Sequence, residues 1–149
     1  MFDPLPLLLS VLGEVPGLRR HTGSLYTILS ELYANGLDHG ILGLDSAWKE
    51  TAAGFSYYYS ERAERLANLK QGYVRFGLSH ETSVDGGELT IVVEDSGPGF
   101  GHVDKVNNEH TTQGYSGRGI PLVRTLCKSL RYLGSGNQVE AVFAWELDH

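Results

Sequence analysis

Between Leu69 and Tyr73 the spacing of apolar residues changes, and that change limits the folds open to the chain. Upstream, Leu25, Ile28, Leu29 and Leu32 recur at three- and four-residue steps, which sets them in one stripe on a helix. Downstream, Val74, Phe76 and Leu78 alternate with Arg75 and Gly77, the period of a strand with one covered face. A first helix is expected over Leu5 to Leu12, ended by Gly13, Pro16 and Gly17, and a second from a Thr22 or Ser24 cap to about Leu37. The stretch from Gly43 to Gly54 reads as a loop, and Ser56 to Leu69 as a helix with Phe55, Tyr59, Ala63 and Leu66 on one side. Of Tyr57, Tyr58 and Tyr59, at least one should pack inward, because consecutive helical residues face different ways. Asp85-Gly86-Gly87 turns the first strand into a β-branched run, Leu89 to Glu94. Ile120 to Leu130 is helical, with Pro121 near the first turn, and a second hairpin closes around Gly134-Ser135-Gly136-Asn137. The order predicts an α/β chain of the α+β two-layer kind, with helices on one face of a mixed, largely antiparallel sheet.

At 149 residues the chain suits one domain. Its 18 acidic against 12 basic side chains argue against a duplex-coating DNA binder, which needs a basic surface. A single cysteine, Cys127, excludes an internal disulfide and a cysteine-rich zinc site, and reads as a small buried residue. No run reaches the ~20 apolar residues of a membrane span. The apolar start lacks the basic lead of a secretory signal, so a cytoplasmic location is expected. The opening residues also read as though cut from a longer chain.

Three patches carry polar groups that packing alone does not request. In the first, Glu31, Asn35 and His39 are spaced by four, so each drifts only ~40° around an α-helix from the last. A carboxylate there can act as a general base, and a carboxamide oxygen can bind a hard cation such as Mg²⁺. The plainer alternative is a solvated face with a capping histidine. The second patch, Glu94-Asp95-Ser96-Gly97-Pro98-Gly99, follows a strand and can present a carboxylate to an exocyclic amine such as that of adenine. Its alternative is an ordinary turn. The third, Gly114-Tyr115-Ser116-Gly117-Arg118-Gly119, leads into a helix whose free N–H groups and dipole favour an anion, with Arg118 adding positive charge. No Gly-Lys pair makes it a phosphate-binding Walker loop, and Ser116 lacks the glycine two positions later that a serine-hydrolase elbow requires. Six of the 19 glycines fall between Gly97 and Gly119.

Taken in order, Glu-x-x-x-Asn-x-x-x-His on a helix, Asp-x-Gly-x-Gly after a strand and Gly-x-x-Gly-x-Gly before a helix resemble the GHKL ATP-binding family. Gyrase, heat-shock chaperone, histidine-kinase and mismatch-repair ATPase domains make up that family. The resemblance runs from about Leu25 to Leu147 and implies the Bergerat ATP-binding fold, with ATP and Mg²⁺ as cofactors. It implies Glu31 as general base and Asn35 as Mg²⁺ ligand, and adds Asp38 and His39 to the nucleotide-binding set. Asp95 would bind the adenine amine, with Gly97 and Gly99 giving it room. Gly114, Gly117, Arg118 and Gly119 would close on the phosphates, and residues 100–113 would form the lid. Asn137 departs from the family, standing near a position where many relatives carry an adenine-site threonine.

Length leaves no room for a histidine-bearing dimerisation hairpin or a transducer domain. The chain therefore resembles the small anti-sigma-factor serine/threonine kinases, as one domain over residues 1–149. Residues 1–20 would be an N-terminal helix and linker, and residues 43–70 a loop and inserted helix. The Gly40 to Ser46 segment and the helix to Leu69 resemble the C-terminal domain of bacterial fused response-regulator/serine-phosphatase proteins. That likeness implies receiver and phosphatase domains in a parent chain, an anti-sigma-factor antagonist as phosphoacceptor, and an anti-sigma or sigma factor as a further partner. It implies neither nucleic acid nor membrane, and leaves a homodimer open. The rival expectations are a nucleotide-dependent binding module without phosphotransfer and a plain ATPase.

Overall fold

The computed structural model describes residues 3–99 and 119–147. Four strands form one sheet in the order β1-β2-β4-β3: β1 is Val74–Ser83, β2 Gly86–Asp95, β3 Ser129–Leu133 and β4 Gln138–Glu146. Every neighbouring pair is antiparallel, so the largely antiparallel sheet expected from sequence is antiparallel throughout the described residues. Two hairpins supply β1-β2 and β3-β4, and the remaining pairing, β2 with β4, is the long-range one that closes the sheet.

Among the described residues four α-helices accompany it: α1 (Leu5–Leu12), α2 (Thr22–Ala34), α3 (Ala52–Ala67) and α4 (Gly119–Leu126). The apolar stripe of α2 is buried as its spacing requires, with Ile28, Leu29 and Leu32 at 0 % exposure. It meets the covered face of the sheet, where Leu89, Ile91 and Val93 of β2 stand beside Val139, Ala141 and Phe143 of β4. Alternation continues to the end of β2 and puts Asp95 in the same row as Leu89, Ile91 and Val93. A carboxylate thus arrives on the apolar face of the sheet, at its edge.

The N-terminal cap of α2 differs from expectation. His21 occupies the cap without a side-chain bond, and the Thr22 hydroxyl donates back to the Arg19 carbonyl at 2.7 Å. Ahead of it, Gly17 has φ +88°, and a Cβ there would run into Leu147 and the Trp145 indole, whose Nε1 donates to the Pro16 carbonyl.

Beyond Ala34 the helix widens. Residues Asn35–Ile41 form a π-turn, and the Leu42 amide donates to the Leu37 carbonyl five residues back at 2.9 Å. The segment expected to be a loop then holds a short 3₁₀ turn, Ser46–Glu50, and α3 starts at Ala52, capped by the Thr51 hydroxyl. Tyr58 is the aromatic that α3 buries, at 0 % exposure, while Phe55 and Tyr59 are half exposed. The expected inward face was therefore misassigned. It was chosen for apolar content, whereas α3 docks through Tyr58, Arg62 and Arg65, which share a face with Leu66 and answer polar groups. Those contacts belong to a second, smaller core of Leu37, Leu42, Leu44 and Tyr58.

Candidate functional site

Three elements converge on Asp95: the wide turn after α2, the end of β2, and the β3-β4 turn. Asp95 is 7 % exposed, and burial pushes its carboxyl above the usual aspartate range, opposed by a hydrogen bond from the Gly97 amide. That amide donates to Oδ1 at 2.8 Å. Oδ2 accepts no hydrogen bond among the described residues. The Asp95 backbone is clamped by Asn137, whose carbonyl accepts from the Asp95 amide at 2.8 Å and whose Nδ2 donates to the Asp95 carbonyl at 3.2 Å. Ser135 ties the same turn to the glycine segment through its hydroxyl, which donates to the Pro98 carbonyl at 2.9 Å.

A cleft opens beside this carboxylate. Leu32, Val93, Tyr132 and Val139 supply its apolar walls, and Asn35, Asp95 and Asn137 its polar groups. The carboxylate oxygen without a partner among the described residues can accept from an amine donor, and the exocyclic amine of adenine is one. Asn35 brings a carboxamide oxygen, a hard donor of the kind Mg²⁺ accepts. Glu31 lies half buried one turn before Asn35 on the same helix.

The other sequence-singled residues take varied places. Gly40 rests directly on the Asp95 carboxylate, where a Cβ would collide with it. A Cβ on Gly97 would strike the Gly40 carbonyl, and one on Gly99 (φ +77°) the Ser135 backbone. The missing side chains at 97 and 99 thus admit the protein's own backbone to the site. Asp38 is buried, and its carboxylate accepts from the Tyr58 hydroxyl at 2.8 Å and from Arg62 Nε at 2.9 Å. His39 turns toward α3: its Nδ1 lies 2.6 Å from the Leu44 carbonyl and its ring stands beside Tyr58. Widening of the helix at Asn35 alters the angular step, so Glu31, Asn35 and His39 do not continue as an α-helical strip. Gly119 opens α4, which packs on α2 with Ile120 and Val123 fully buried. Gly114, Gly117, Arg118 and the expected lid over residues 100–113 lie outside the described residues.

Tyr132 and Ser135 were not singled out from sequence. The alternation of Leu130 and Tyr132 was the available signal for the first, and no local signal marks the second. Cys127 is half buried, and burial raises its thiol to about 11. No helix among the described residues is long and apolar enough to cross a membrane.

Helices over one face of an antiparallel sheet, with a buried carboxylate at a strand end facing a cleft beneath a helix, define a two-layer α+β domain. The pattern of the histidine kinase-like ATPase domain matches residues 60–143, more than half of the chain, and the protein belongs to that family. ATP binding is what this membership implies. The matched span contains Asp95, Gly97, Gly99 and the glycines at 114, 117 and 119, whereas Glu31 and Asn35 precede it. Comparisons with curated proteins and with solved structures gave no match.

Proposed function

We propose that the chain is an ATP- and Mg²⁺-dependent protein serine/threonine kinase domain that acts in the bacterial cytoplasm on an anti-sigma-factor antagonist, in a partner-switching pathway. The observation that carries the reading is the cleft itself. Its buried Asp95 carboxylate has one oxygen held by Gly97 and the other without a partner among the described residues, and Asn35 lines the same cleft. Asp95 selects the adenine amine, and Leu32, Val93 and Val139 exclude water from the ring faces. Asn35 would hold Mg²⁺ through its carboxamide oxygen, and the ion would supply positive charge to the triphosphate. Glu31 accepts the proton of a serine or threonine hydroxyl as its oxygen bonds the γ-phosphorus and the bond to ADP breaks. Gly114, Gly117, Arg118 and Gly119 cradle the phosphates in this reading. An anti-sigma or sigma factor and the receiver and phosphatase domains of a parent chain are its further proposed partners.

The test is to incubate the domain with γ-labelled ATP, Mg²⁺ and the antagonist, and to follow the label. Label on the antagonist's serine or threonine, lost with Glu31→Ala while ATP still binds, is the expected result. Free phosphate without protein label would make the domain a plain ATPase. Binding of the antagonist with no label released or transferred would make it a nucleotide-dependent binding module, a reading favoured by the exposed Phe55, Tyr57 and Tyr59 on α3.

A further inference from the structure

The π-turn Asn35–Ile41 is a wall shared by two structures. One side faces the Asp95 cleft: Asn35 and Gly36 line it, a Cβ on Gly36 would just reach Asp95, and one on Gly40 would collide with the Asp95 carboxylate. The other side faces α3. There Asp38 accepts from both Tyr58 and Arg62, Leu37 enters the small core with Tyr58, and Arg65 Nη1 donates to the Leu42 carbonyl at 2.7 Å and the Gly43 carbonyl at 3.2 Å.

This segment is poorly suited to hold that shape alone. Glycines at 36 and 40 leave its backbone with more freedom to lose on ordering than other residues would. A π-turn is a rare, less favourable geometry that persists where surroundings enforce it. Contacts with β2 hold the turn on one side, and the α3 side chains just named hold it on the other. Burial and the adjacent Asp38 push the Tyr58 phenol far above its usual range, so its proton stays in the bond to that carboxylate.

We propose that Asp38, with Tyr58 and Arg62, is a positioning device: α3 holds the 35–41 turn against Asp95 and thereby sets the affinity of the adenine end of the site. The proposal rests on the reading of Asp95 as the adenine-binding carboxylate. It gives Asp38 a role through the wall, with no contact to nucleotide. The inserted helix becomes a handle on nucleotide affinity.

Calorimetric titration with ATP, and competition by adenosine, distinguish the outcomes, using the whole 149-residue chain. The variants are Asp38→Asn, Tyr58→Phe, Arg62→Met, Arg62→Lys and Asp95→Asn, each first checked for folding by circular dichroism and thermal melting. Loosening of the wall should weaken ATP and adenosine by the same factor, about tenfold for Asp38→Asn and about threefold for Tyr58→Phe, within the range seen for residues that modulate a site without touching its ligand. Arg62→Lys should recover part of what Arg62→Met loses. Lower melting temperature with both affinities unchanged would overturn the proposal, since a merely structural contact has that signature. Loss of ATP affinity with adenosine unaffected would also overturn it, by placing Asp38 at the phosphates. If Asp38→Asn does not fold, Tyr58→Phe and the Arg62 pair decide. Should Asp95→Asn bind ATP normally, the adenine reading itself fails; weakened Asp95→Asn beside normal Asp38 and Arg62 variants sinks the positioning proposal alone.

Discussion

Under α2 the sheet closes on Leu89, Ile91 and Ala141 with no exposure and without a polar tie among them, whereas α3 is fastened through hydroxyl and guanidinium groups on one buried aspartate. The first arrangement depends on area removed from water and is insensitive to direction. The second depends on bond geometry, and fails if one partner is lost, because the remaining charge stays desolvated. Asp95 and the 35–41 turn sit on the boundary between them. In the proposed function, a nucleotide site so placed would take its floor from the sheet and one wall from the polar joint.

The contrast can be broken by mutation. Ile91→Ala removes a fully buried side chain from the larger core and should destabilise the whole fold by ~3–4 kcal/mol, read by denaturant unfolding. Asp38→Ala should cost about 2–3 kcal/mol, below the fully buried case because Arg62 is about one-third exposed. Hydrogen exchange should then quicken around residues 37–44 and 55–66 well before residues 89–93. Equal acceleration in both regions would mean one cooperative unit and erase the distinction. Tyr58→Phe deletes one hydrogen bond to a charged group without opening a cavity and should lower stability by ~1–2 kcal/mol, by thermal melting.

Asp95 sharpens the comparison in the opposite sense. Its folded carboxyl titrates above the unfolded value, so the folded state binds the proton more tightly, and stability falls as pH rises through that window. At neutral pH the ionised group therefore opposes folding. Asp95→Asn, which keeps an oxygen for the Gly97 amide, should melt slightly higher than the parent at pH 7. It should also lose ATP affinity about tenfold or more, because a charge-assisted acceptor has gone. A parent melting curve that rises from pH 5 to 8 relative to the variant would contradict the sign. The smallest effect concerns Cys127: with its thiol raised to about 11, alkylation at pH 8 should be much slower than for a free thiol.

Leu25, Ile28, Leu29 and Leu32, the β1 and β2 alternation and the glycine breakers made the layer order readable along the chain, because a local period reports which face is covered. The same alternation carried Asp95 to the apolar face, and its ordered relation to Glu31, Asn35 and the glycine clusters gave the family resemblance. The inward face of α3 was not readable. Tyr58 and Arg62 are chosen by Asp38, 20 and 24 residues away in sequence, and such pairing leaves no trace in either segment's own pattern. Nor could spacing announce that the helix widens at Asn35, which swings His39 to Leu44 and Asp38 to α3. By itself the sequence determined the two layers and the candidate residues, while the row that holds Asp95 came from the structure. Only the tertiary structure decided that Gly40 rests on Asp95 and that Asn137 clamps its backbone, since those contacts exist only once separate segments have closed on one another.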